Sequence, residues 1–141
     1  MAKQYDDPGQ FFEDVLDATD EAWSEFLREV QGQLTSRAPI DTGRLASSFY
    51  ISKNQPSKNV RPEDWGKPGE RKQKKPVYTR KITFDGDWFI TNNVPYAERV
   101  AKDPVYGKNG RGFGSEWYNA TVTQANKLWD QTAAKYLRRF L

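Results

Sequence analysis

The chain has 141 residues, 36% of them apolar, with five Trp, seven Tyr and eight Phe, which suits one small domain with an aromatic-rich core. It contains no Cys and no His, which excludes disulfides, thiol nucleophiles, Cys-ligated metals and imidazole acid–base chemistry. The net charge of +3 hides a segregation: residues 1–34 hold nine acidic and two basic residues, whereas residues 53–81 hold ten basic and three acidic ones.

Apolar residues at Phe11, Phe12, Val15, Leu16, Ala22, Trp23, Phe26, Leu27, Val30 and Leu34 follow three–four spacing and predict a long amphipathic helix over 10–36. Asp6 or Asp7 before Pro8 supplies its N-cap, Glu13, Asp14 and Asp17 are expected at the positive end of its dipole, and Pro39 stops it by disfavouring the α conformation at Ala38. In Pro39-Ile40-Asp41-Thr42-Gly43-Arg44-Leu45, Asp41 or Thr42 can cap the next turn, and Gly43 permits a backbone angle or close approach closed to other residues. Alternation at Leu45, Ser47, Phe49 and Ile51 predicts a strand ending near Ser52.

Residues 53–76 show no apolar periodicity and carry Pro56, Pro62, Pro68, Pro76, Gly66 and Gly69, so they are expected to form a long flexible loop. Val77–Phe84 and Trp88–Asn92 alternate around Asp85-Gly86-Asp87, which predicts a β-hairpin. Asn92 to Pro95 breaks its second strand, and Tyr96–Lys102 is expected as a short helix. Asp103–Gly114, with four glycines, reads as a loop without a phosphate-binding pattern. Trp117, Thr121, Val122, Ala125, Leu128, Trp129, Thr132, Tyr136, Leu137 and Phe140 then predict a second amphipathic helix, capped at about Ser115. The resulting expectation is one α+β domain over 1–141. A long N-terminal helix and a C-terminal helix pack on a small antiparallel sheet of three or four strands, with the basic loop inserted between strands.

Glu13, Asp14, Asp17, Asp20 and Glu21 read as a solvated acidic face, because nothing converges on them. Asp85 and Asp87 read as turn residues rather than a catalytic pair. The basic stretch is open to two readings. Lys58, Arg61, Lys67, Arg71, Lys72, Lys74 and Lys75 suit phosphate neutralisation on DNA, or docking on an acidic protein surface. Trp65 within it suits base stacking or, more in keeping with Trp at interfaces, anchorage in a protein pocket. Mean hydropathy is −0.93 and no apolar run approaches membrane-spanning length, so no membrane partner is expected. The first seven residues lack the apolar stretch of a signal peptide, which favours a reducing cytoplasm as the site of synthesis.

Two motifs stand out. The first is Pro39-Ile40-Asp41-Thr42-Gly43-Arg44-Leu45 followed by Ser48; the second is Ile90-Thr91-Asn92-Asn93-Val94-Pro95-Tyr96-Ala97. Behind a long amphipathic helix and with a basic insert between them, they resemble the tail-completion (neck) proteins of long-tailed bacteriophages, of the lambda-like minor tail protein Z type. After Tyr96-Ala97 this chain departs from the family's usual Glu-x-Gly-like element and continues Val100-Ala101-Lys102-Asp103-Pro104. The resemblance implies a non-enzymatic virion protein with no cofactor and no metal, which completes the head-proximal end of a tail and takes part in head–tail joining. It implies self-association into a ring, sixfold to match a tail tube. Its partners would be the tail terminator or tail tube protein and head–tail connector proteins, with DNA in the central channel. The motif residues Pro39 to Leu45, Ser48, Asn92, Asn93, Pro95, Tyr96 and Ala97 are expected to meet at a fold junction that forms an interface. The alternative is a small nucleic-acid-binding protein that uses residues 53–81.

Overall fold

The computed structural model describes residues 4–102 and 116–141. The chain is α+β: helix α1 (Pro8–Arg37), strands β1 (Tyr50–Lys53) and β2 (Trp88–Thr91), helix α2 (Ala97–Lys102), helix α3 (Trp117–Leu137) and a 3-10 turn at Arg138–Phe140. The expected loop at Asp103–Gly114 and the expected cap at Ser115 lie outside the described residues.

α1 begins as its sequence dictates. The Asp7 carboxylate accepts from the Gly9 N–H at 2.9 Å and Pro8 occupies the first turn. Glu13, Asp14 and Asp17 fall beyond that first turn, so the expected dipole contribution from them is lost; the effect fades within one turn. At the other end Ala38 is extended, with φ −60° and ψ 142°, as a residue before proline prefers.

α3 packs antiparallel against α1. Arg37 donates to the Thr121 hydroxyl at 3.0 Å, Trp23 and Phe26 meet Trp129 edge-on, Lys135 pairs with Glu25 at 2.7 Å, and Phe11 meets Phe140. Two apolar clusters lie beside this helix pair. One joins Leu34, Ile40, Leu45, Phe49, Val94, Val100 and Trp117; the other joins Leu27, Ile51 and Ile82.

The hairpin expected at Val77–Asn92 does not form, and the sheet has two strands rather than three or four. β2 pairs antiparallel with β1, with Ile51 opposite Ile90 and Lys53 opposite Trp88. The turn chemistry at Asp85-Gly86-Asp87 is present, Gly86 having φ +72°, but the chain entering it is not a strand. Its alternation reflects a segment laid along α1, which satisfies it with side chains instead of a neighbouring ladder. Ile82 is buried against Leu27 and Ile51. The Tyr78 carbonyl accepts from Arg28 at 3.3 Å, the Phe84 N–H donates to Asp20 at 2.8 Å, and the Phe84 ring stacks on Trp129. Beside the turn, Asp85 accepts from Thr83 and Lys53, which holds its carboxyl below the usual range.

Gln31 ties the layers together. This buried side chain, on the core-facing side of α1, donates to the carbonyls of Phe49 at 2.8 Å and Pro76 at 2.9 Å, fixing the start of β1 and the end of the basic loop to one helix. Gln31→Leu keeps the volume but strands both carbonyls. Denaturant unfolding should show a loss of about 1–3 kcal/mol for each carbonyl left unpaired.

Candidate functional site

The first motif is a turn built to hold another segment of chain. The Thr42 hydroxyl accepts from the Arg44 N–H at 3.1 Å, so Thr42 rather than Asp41 caps the turn, and the Ser47 N–H closes it on the Gly43 carbonyl at 2.9 Å. Gly43 has φ +95°, and a Cβ there would fall inside the van der Waals radius of the Lys72 carbonyl oxygen. The absence of a side chain lets the basic loop lie directly on the turn.

Three hydrogen bonds then fasten it. The Asp41 carbonyl accepts from Arg71 N–H at 2.8 Å, the Thr42 carbonyl from Lys72 N–H at 3.0 Å, and the Asp41 carboxylate from Gly69 N–H at 2.7 Å. Gly66 passes close over the Thr42 carbonyl from the same side. Behind the turn, Ser47 Oγ donates to the Lys72 carbonyl and accepts from Lys74 N–H, while Ser48 Oγ accepts from Arg61 N–H at 3.2 Å. Arg61 donates to the carbonyls of Ser47 and Lys74, and Arg44 donates in turn to the Arg61 carbonyl at 2.9 Å. The loop expected over 53–76 thus begins one residue late, Lys53 closing β1; beyond it the segment lacks helix and strand, as its composition requires, but it is secured to the body along much of its length.

The second motif arrives from the other side. Asn92 donates to the Leu45 carbonyl at 2.9 Å and accepts from Val94 N–H, so one side chain both shapes its own turn and joins the two motifs. Asn93 holds the entrance to the basic loop through the carbonyls of Ser57 and Asn59. Ala97 packs against the core, and Pro95 is exposed. Pro39, Ile40, Gly43, Arg44, Tyr96 and Val100 are among the walls of a recess of about 390 Å³. Burial raises the Tyr96 phenol pKa, opposed by the nearby Arg44 cation and reinforced by Asp41. The phenol is therefore neutral and able to donate at physiological pH.

Of the basic residues, Lys58, Lys67, Arg71, Lys72, Lys74 and Lys75 are exposed, whereas Arg61 and Trp65 are half-buried. Arg61 lies 4.3 Å and Lys72 3.9 Å from the centroid of the Trp65 ring. Both cations belong to the chain itself, so the ring is engaged within the protein. Among the described residues no group of three acidic side chains is placed to hold a metal ion, and Asp14 and Asp20 are engaged by Tyr5 and by the Phe84 backbone. Gln31 and Gln73, the latter donating to the Thr35 carbonyl at 2.8 Å, were not among the expected site residues. Gln31 carried a signal: a polar residue in register with Leu27 and Leu34 on the apolar face.

No protein-family model, curated protein or solved structure matches this chain.

Gly43 and Gly69 offer a paired test of the turn. Both have positive φ, but a Cβ at Gly69 meets nothing within 4 Å. Gly69→Ala should cost about 1–3 kcal/mol of backbone strain alone. Gly43→Ala should cost more, because it also pushes Lys72 away, and trypsin should then cut at Arg71 and Lys72 faster than in Gly69→Ala.

Proposed function

We propose that this protein is a structural component of a long-tailed phage particle, completing the head-proximal end of the tail and acting in head–tail joining as a closed ring of copies. The reading rests on the motif resemblance, and one observation supports it most. The two motifs, about 50 residues apart in sequence, share the walls of one recess, and the basic loop is fastened to the turn that forms one of those walls. Side chains that hold a long polar segment in a fixed shape suit a protein whose work is docking. Within this reading the virion neck is its destination and the host cytoplasm its site of assembly. The described helices agree in one respect: none is long and apolar enough to cross a membrane.

The competing reading, nucleic-acid binding through 53–81, makes an opposite demand on the exposed cations. Replacing Arg71, Lys72, Lys74 and Lys75 together with Gln should slow joining of purified heads and tails while leaving no DNA affinity to lose, since the wild-type protein should retain little DNA in a filter-binding titration. Tight DNA binding by the wild type would favour the competitor, above all if the salt slope falls by about one unit per phosphate contact removed.

A further inference from the structure

The two ends of α1 carry unlike surfaces that cannot meet within one chain. Near its start, Phe12 and Leu16 are 63% and 64% exposed, and their i,i+4 spacing puts them on one face. Residues 4–27 hold eight carboxylates and no Lys or Arg, Glu13 beside the apolar pair is exposed, and the cations that the C-terminal turn brings to this end are Arg138 and Arg139, next to Phe140. At the far end, Pro39 leads directly into the recess, where Ile40, Leu45, Tyr96 and Val100 provide apolar wall and Arg44 provides charge. The segment fastened over that turn adds exposed Lys67, Arg71 and Lys72. Of the carboxylates at this end, Asp41 and Glu70 are turned to backbone N–H groups, of Gly69 and Lys67, Glu98 pairs with Lys102, and Glu63 and Asp64 are exposed. A helix rising about 1.5 Å per residue separates Phe12 from Arg37 by roughly 38 Å.

We infer that the recess receives the Phe12–Leu16 face of a second copy of this chain, with Glu13 of that copy set against Arg44, Lys67, Arg71 and Lys72. Charge complementarity selects the partner: an exposed, mainly acidic edge with an apolar centre matches a recess whose walls hold Arg44 and whose turn carries the cations of the loop fastened to it. The two patches differ, so the contact is heterologous and leaves one free patch at each end of any open oligomer, which ring closure alone consumes. This inference rests on the assembly reading and specifies its interface.

The absence of cysteine makes the pairing directly readable. Glu13→Cys and Arg99→Cys are each exposed, and Arg99 lies one turn along from Tyr96 on α2. A mixture of the two single variants, treated with a short bismaleimide at high protein concentration and low salt, should give a 13–99 linked dimer. The doubly substituted chain should give a ladder of larger species. Adding Phe12→Ser and Leu16→Ser, both at exposed positions, should lower the linked yield about tenfold or more, and high salt should lower it as well. Sedimentation of the untreated wild-type protein separates the two claims. Association with only 13–13 or 99–99 links overturns this interface and leaves the assembly reading standing. A protein that stays monomeric at every concentration and gives no 13–99 link overturns both.

Discussion

The contact on which this architecture turns is that of Gly43 with the carbonyl of Lys72. A long basic segment has no apolar face with which to earn a place on a core, so it must be held by its backbone, and backbone can approach backbone this closely only where a Cβ is missing. The positive φ at Gly43 orients the carbonyls of Asp41 and Thr42 toward the N–H groups of Arg71 and Lys72. From that contact follow the shape of the turn that walls the recess, the position of the basic segment fastened to it and the course of the chain back to β2.

Ordering such a segment costs about 1–2 kcal/mol of backbone entropy per residue, while each hydrogen bond gives back only about 0.5–1.5 kcal/mol net. The protein meets this imbalance by concentrating anchors and sharing them. Ser47 Oγ serves both Lys72 and Lys74; Arg61 reaches two carbonyls and covers Trp65; Gln31 grips Phe49 and Pro76 together. Each of these side chains joins residues distant in sequence, so every bond formed also closes a loop. Motif residues that would pass for exposed functional groups in isolation are largely spent on holding the loop. Arg44 and Tyr96 are the motif residues that bring polar groups to the recess walls together with Asp41 and Thr42.

Much of the fold was legible because helices report locally. The start of α1 at Asp7-Pro8, its stop before Pro39, the short helix after Pro95 and the C-terminal helix all follow from periodicity and capping. The pairing of β2 was not legible, and the reason is physical. Alternation does not tell whether a strand or a helix meets the apolar side chains; in 77–84 Ile82 alone is buried, against Leu27 of α1 and Ile51 of β1, while Arg28 and Asp20 of α1 bond the segment's backbone. Strand pairing across residues 54–87 likewise leaves no local trace beyond matched apolar residues at Ile51 and Ile90. At the site, the need for glycine at 43 could be read from its neighbours, whereas its partner, Lys72, could not, since nothing near either residue encodes the other.

The charge segregation acquires meaning from this arrangement. Part of it is met within the chain: beside α1, Asp17, Asp20, Glu21, Glu25 and Glu29, interrupted by Arg28 of the same helix, line one cleft with Lys75, Arg80 and Lys81. There opposite charges lie along the middle of the helix and reduce its self-repulsion without requiring tight pairs, which at an exposed surface contribute little. What remains is displaced to the two ends, acidic beside Phe12 and Leu16 and basic around the recess. In the proposed contact between copies, unlike ends would attract and like ends repel, which would steer approach toward head-to-tail alignment over the isologous pairing that stops growth at a dimer.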